Sequence, residues 1–172
     1  ASDVYKRQIQ RNAERILQLV NQLMDIRKID KGQMSLMFKK AEIVSFTRDL
    51  LETFEQQTRV KKLDLKFHTS APEIEMWIDP KNFDKIILNL LSNACKFTPE
   101  NGQVEISLST GEDTHLPPNA PLRRYVELTV ADSGIGIAST EREHIFERFY
   151  QIRNSQNNSN IGTGIGLHLT RL

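Results

Sequence analysis

Apolar residues in this chain fall into two rhythms. Near the start, Ile9, Ala13, Ile16, Val20 and Leu23 recur at spacings of four and three, the period of a helix with a narrow apolar seam. Such a seam fits an ordinary surface helix or, better, pairing with a partner helix in a bundle or coiled coil. The pattern fades through Ile29-Asp30-Lys31-Gly32, where Gly32 is placed to cap the helix. Glu42-Ile43-Val44 then reads as a short strand. Ser45 reads as the N-cap of a helix to about Lys61, with Phe46, Leu50, Leu51 and Phe54 on one face. Leu63, Leu65 and Phe67 alternate with polar residues, as do Ile74, Met76 and Ile78, which predicts two strands.

Asp79-Pro80 joins a cap to the proline that suits a first helical turn, and this helix runs to about Lys96. Val104, Ile106 and Leu108 mark a third strand. Val126, Leu128 and Val130 mark a fourth, ending at Asp132, with a polar loop from Gly111 to Leu122 between them. A further helix is predicted through Ile145 and Phe149, then a polar loop from Tyr150 to Asn160 and a last helix from about Leu167. Helices interleaved with alternating strands predict an α/β fold, a two-layer sandwich preceded by one long helix.

Composition narrows this without redirecting it. The 172 residues suffice for one sizeable domain and a flanking segment. A net charge of +1 gives no field to draw the chain to nucleic acid or anionic lipid. One cysteine allows no internal disulfide and agrees with a reducing compartment. No apolar run approaches the roughly 20 residues that span a bilayer. Asp3-Val4-Tyr5-Lys6-Arg7-Gln8 is what GATGTGTATAAGAGACAG encodes, a sequencing-library adapter read in frame, so residues 1–8 are set aside as an artefact. At the other end the last helix stops without a cap, and we expect truncation there.

Three stretches carry candidate chemistry. On the helix from Pro80, Phe83, Ile86, Ile87, Leu90 and Ala94 form an apolar stripe at about 100° per residue, while Asn89, Asn93 and Lys96 form a polar one. The polar stripe is either a solvated face or a set of hard oxygen ligands for Mg²⁺ with a cation for phosphates. Asp132 ends a strand before Ser-Gly-Ile-Gly. It is either a plain strand-ending turn or a pocket floor whose carboxylate accepts from the exocyclic amine of adenine, with glycines that let backbone approach a flat ring. Gly162, Gly164 and Gly166 stand where a polar loop meets a helix. They are either a flexible linker or an anion cradle of open amides. They lack the Gly-Lys-Ser/Thr of a P-loop, and no strand leads into them as a dinucleotide fingerprint requires.

Together, Asn89-x-x-x-Asn93-Ala-x-Lys96-Phe97, Asp132-x-Gly-x-Gly-Ile, Phe146-Glu-Arg-Phe149-Tyr150 and Gly-Thr-Gly-Ile-Gly-Leu resemble the four boxes of the sensor histidine kinase catalytic domain, in order and spacing. The resemblance covers nearly the whole chain from Ile9. It implies a Bergerat-type ATP-binding fold, a mixed sheet covered by helices on one face, over residues 33–172. Residues 9–32 would then be the second helix of the dimerisation and phosphoacceptor hairpin. Carried over, it makes Asn93 an Mg²⁺ ligand, Asn89 a support for metal and phosphates, and Lys96 a phosphate contact, these three being the catalytic set. Phe97 would border the adenosine and Asp132 bind the adenine amine, beside Gly134, Gly136 and Ile137. Gly162, Thr163, Gly164, Gly166 and Leu167 would hold the phosphates under a lid of residues 150–161. Gln151 stands where several relatives carry a cation, which leaves the γ-phosphate helper open between Arg148 and Arg153.

The wider superfamily of gyrase B subunits, the large heat-shock chaperone and mismatch-repair ATPases usually has glutamate at position 89; asparagine there favours transfer over hydrolysis. The resemblance implies a protein-histidine kinase that passes the γ-phosphate of Mg-ATP to a histidine, and thence to a response regulator receiver domain. His68, His115, His144 and His168 lack the surroundings of an acceptor, so the chain is not self-sufficient. The implied parent is a homodimer through the hairpin, anchored in the bacterial inner membrane with this domain cytoplasmic, and it binds no nucleic acid. The alternatives are a superfamily ATPase, or a non-catalytic nucleotide-binding or dimerisation module.

Overall fold

The structure, a computed structural model, describes residues 2–117, 119–120, 123–152 and 162–171. It divides into two compact units. Met37–Ile137 is one; Ala1–Leu36 with Ala138–Leu172 is the other.

In the first unit, β1 (Lys39–Glu42) pairs antiparallel with β3 (Glu75–Ile78). β2 (Asp64–Thr69), β4 (Gln103–Glu112) and β5 (Arg124–Asp132) form a mixed sheet, with β4 central, parallel to β2 and antiparallel to β5. The strands thus form two hydrogen-bonded groups rather than one continuous ladder. Helices α2 (Ile43–Val60) and α3 (Pro80–Phe97) pack on one face. On β4, Val104, Ile106 and Leu108 are buried while Glu105 and Ser107 are not, the alternation of a sheet covered on one side. Leu51 and Phe54 of α2, Ile87, Leu91, Ala94 and Cys95 of α3, and Val104 and Ile106 form the larger core. Ile43, Val44, Ile74, Ile78 and Leu108 form a smaller one. The two-layer α/β expectation holds.

Several local expectations need correcting. Ile43 and Val44 open α2 rather than ending a strand, and the N-cap is Glu42, not Ser45. The Glu42 carboxylate accepts from Val44 N (2.9 Å), Ser45 N (2.7 Å) and, across the chain, Ile74 N (2.9 Å). No short-range pattern reveals that third donor. The polar loop is shorter than Gly111–Leu122, because Gly111 still pairs in the ladder opposite Tyr125. Asp79 caps α3 as expected, accepting from Lys81 N and Asn82 N, and from Met37 N as well.

In the second unit, α1 spans Ser2–Asp30, 29 residues, so helix also covers the segment before Ile9. Gly32, at φ 61°, ends it as expected, with Gly32 N bonded to Ile29 O and Gln33 N to Lys28 O. The helix predicted through Ile145 and Phe149 is absent: residues 139–149 form successive turns. Glu141, His144, Glu147 and Tyr150 each donate three residues back, and Phe149 sits at φ 63°. Side chains reinforce these turns, since Tyr150 Oη bonds the Glu141 carboxylate and His144 Nδ1 the Glu147 carboxylate. The last helix, α4 (Gly166–Arg171), packs on α1.

Candidate ATP-binding site

Asn89, Asn93 and Lys96 lie four and three residues apart on α3, so they share one face, and each is half-buried. The apolar stripe of α3 is rotated from its expected place. Ile87, Leu91, Ala94 and Cys95 are buried, whereas Ile86 and Leu90 are only partly so. The helix must satisfy both the sheet and α2, which centres its buried arc between those neighbours. Ile86 and Leu90 consequently border the asparagine face instead of facing the core.

The C-terminal turn of α3 is closely held. Ala94 O accepts from Thr98 N (3.0 Å) and Thr98 Oγ1 (2.6 Å), and Thr98 is fully buried. Lys61 Nζ donates to Cys95 O (2.7 Å) and Lys96 O (3.0 Å). Lys96 Nζ stands 4.7 Å from the centre of the exposed Phe97 ring, within cation–π range.

Beside this turn lies the end of β5. Asp132 Oδ1 accepts from Gly134 N (2.8 Å), closing a tight turn. Ser133 locks it to β4: its N donates to Gln103 O (3.0 Å), and its Oγ accepts from Gln103 N (2.8 Å). Gly134 is required by space. A Cβ there would lie 2.7 Å from Phe97 O and 2.5 Å from Asp132 Oδ1. Gly136 is required by conformation instead, with φ +68° and open space around it. Thus Lys96, Phe97, Asp132 and Gly134 are brought together at one end of α3, with Asn89 and Asn93 along the same helix. Ile137, 40% exposed, ends this unit. Lys61 and Ser133, which hold these turns, carried no sequence signal because each acts on a backbone partner at least 30 residues away, while Thr98 acts on the local carbonyl of Ala94 that any helix end presents.

The glycine-rich segment belongs to the second unit. Gly164 has φ +70°, and a Cβ there would meet the Phe149 carbonyl carbon at 2.7 Å. Its carbonyl accepts from Phe149 N at 2.8 Å. Thr163 Oγ1 donates to Gln22 Oε1 on α1 (2.8 Å) and accepts from Ile165 N (3.3 Å), while Ile165 is fully buried. Gln151 Nε2 donates to Gly162 O. Gly166 and Leu167 open α4. These bonds tie Gly162, Thr163 and Gly164 to neighbours within the same unit. Arg148 pairs through both terminal nitrogens with Asp30, and its Nε donates to His168 Nε2. Hydrogen bonding from the Arg148 guanidinium to Asp30, outweighing a smaller opposing effect of desolvation, lowers the Asp30 carboxyl below its usual range. Of the expected lid, residues 153–161, including Arg153, lie outside the described residues.

The donor chemistry can be set against a metal. Among the described residues no cluster of His, Cys, Asp and Glu could hold one. The carboxamide oxygens of Asn89 and Asn93 are neutral hard donors. That set suits Mg²⁺, which keeps waters and takes its remaining oxygens from phosphates.

Known proteins resemble this chain in sequence and fold. Residues 78–172 match the family described as histidine kinase-, DNA gyrase B-, and HSP90-like ATPase. The sensor histidine kinase TmoS of Ectopseudomonas mendocina is 37% identical over 163 residues, 95% of this chain and 16% of that protein. Full-length ShkA, solved in complex with AMPPNP, superposes with a TM-score of 0.75 at 25% identity over 97% of this chain and 32% of ShkA. The catalytic domain of histidine kinase ThkA, nucleotide-free, gives a TM-score of 0.63 at 25% identity, covering 79% of this chain and 78% of that one. The chain therefore spans about a sixth of TmoS and a third of ShkA. It belongs to the histidine kinase-, DNA gyrase B- and HSP90-like ATPase family, as an ATP-binding catalytic domain of the histidine kinase type.

Proposed function

We propose that this domain binds Mg-ATP and delivers its γ-phosphate to a histidine outside the chain, for relay to the receiver domain of a response regulator. The observation that carries this reading is the α3 face: Asn89, Asn93 and Lys96 aligned on one side, ending beside the Asp132–Gly134 turn. Asp132 accepts a hydrogen bond from the exocyclic amine of adenine, where guanine offers a carbonyl. Gly134 and Gly136 keep that wall flat, and Phe97 and Ile137 border the adenosine. Asn93, supported by Asn89, holds the metal, and Lys96 adds a positive charge for the phosphates. Gly162, Thr163, Gly164, Gly166 and Leu167 offer the phosphates backbone amides. Bound Mg²⁺ neutralises phosphate charge. The protein's part is positioning and electrostatics, as in phosphoryl transfer generally.

Asn89 decides between transfer and hydrolysis, because a carboxamide is no general base for a water. The relative solved with AMPPNP, a non-hydrolysable ATP analogue, supports the nucleotide assignment. In α1, Ile9, Ile16, Leu17 and Val20 remain 48–68% exposed, which supports a second copy of the hairpin as their partner. No helix among the described residues is long and apolar enough to cross a membrane. We assign this domain to the cytoplasmic side of an inner-membrane parent. The test is incubation of the chain with γ-labelled ATP and Mg²⁺. Nucleotide binding with no label on any histidine and no sustained phosphate release is expected; steady hydrolysis without an acceptor would identify an ATPase instead, and labelled histidine would contradict the reading.

A further inference from the structure

The last turn of α3 ends in carbonyls that the helix itself cannot satisfy. Thr98 takes Ala94 O, and Lys61 Nζ takes both Cys95 O and Lys96 O at 2.7 and 3.0 Å. Lys61 is not a wandering surface side chain. It is the C-cap of α2, and the chain turns there in a double-bonded motif, with Lys62 N on Arg59 O and Leu63 N on Thr58 O. Its carbonyl also receives Asn101 N from the turn that follows α3. The end of α2 is thereby fixed, and its ammonium is delivered to the negative end of the α3 dipole.

What that ammonium grips is the main chain of Lys96 itself. Rotation of this turn sets where the Lys96 side chain stands over the Phe97 ring. Phe97 O, by contrast, is held against Gly134, which has no room to yield. We infer that Lys61 is a positioning residue for ATP binding, acting through the backbone of α3 to place Lys96 for the phosphates. This inference rests on the reading of the site given above.

The test uses the whole chain and two ligands, Mg-AMPPNP by calorimetry and adenosine by NMR titration. Lys61→Met is expected to weaken Mg-AMPPNP about tenfold while changing adenosine affinity less than about twofold. Lys61→Arg, which keeps a charged donor, is expected to restore most of the loss. The double variant Lys61→Met/Lys96→Ala is expected to bind Mg-AMPPNP no worse than Lys96→Ala alone, since acting through Lys96 makes the effects non-additive. Should Lys61→Met unfold, Lys61→Gln serves in its place, with the same expectations. Equal weakening of both ligands, additive losses in the double variant, or unchanged Mg-AMPPNP affinity would overturn the inference. If adenosine binds to the wild-type chain but Mg-AMPPNP binds no more tightly, the positioning role fails alone. If neither binds, the reading of the site fails with it.

Discussion

Lys62 occupies a left-handed backbone position, φ 54°, that glycine adopts at no steric cost. Its side chain recovers a little through an exposed ion pair with Glu100, a pair worth a few tenths of a kcal/mol at most. The backbone term is larger, so Lys62→Gly is expected to raise unfolding stability by about 1 kcal/mol, measured by urea denaturation. Thr47 makes a similar point in the core. It is fully buried, and its Oγ1 has no hydrogen-bond partner. Thr47→Val keeps the shape and removes a desolvated hydroxyl, and should stabilise by about 1 kcal/mol. The two glycines after Asp132 should separate by mechanism. Gly136→Ala has open space and costs only its backbone conformation, about 1 kcal/mol. Gly134→Ala drives a methyl into the Phe97 carbonyl, so it should lower both stability and AMPPNP affinity well beyond the Gly136 variant. Equal losses in the two would show that close packing at Gly134 is unimportant.

At the scale of elements, Glu42 joins α2, β1 and the segment entering β3. Burial alone would raise its carboxyl, but the amides of Ile74, Ser45 and Val44 outweigh that and hold it at about 2, against an ordinary 4.5. A depressed folded-state value means the ionised cap stabilises fully above about pH 4.5 and loses that contribution as pH falls toward 2. In urea melts across this range, wild type should lead Glu42→Gln at pH 7, with the gap closing between pH 4.5 and 2.5. A gap independent of pH would remove Glu42 ionisation from the account. The same residue shows where sequence reading stops. Asp79-Pro80, Gly32 and the alternation in β2 to β5 were legible because cap, turn and pleat are local chemistry. Glu42 was passed over as a cap because serine, three residues on, is the commoner capping residue, and its third donor, Ile74 N, lies 32 residues away. The helix through Phe149 was predicted from apolar spacing, yet side-chain bonds from Tyr150 and His144 favour turns.

For the whole molecule, the proposed ATP site is carried by several motifs together rather than by any single element. Asn89, Asn93, Lys96 and Asp132 stood out as candidates because their residue types and spacings follow chemistry rather than packing. Their supports were not: Lys61, Thr98 and Ser133 work through carbonyls and amides that any sequence possesses. The rotated stripe of α3 was likewise hidden, since a helix facing both a sheet and a second helix buries an arc that periodicity alone cannot centre. The central claim is that the end of α3 and the Asp132 turn form an adenine- and phosphate-reading site. The most direct measurement is calorimetric titration of the chain with AMPPNP and its guanine counterpart, with Mg²⁺, in wild type and Asp132→Asn. The account predicts binding of the adenine analogue alone in wild type, weakened at least tenfold by the substitution. Equal affinity for both analogues, or no effect at Asp132, would contradict it.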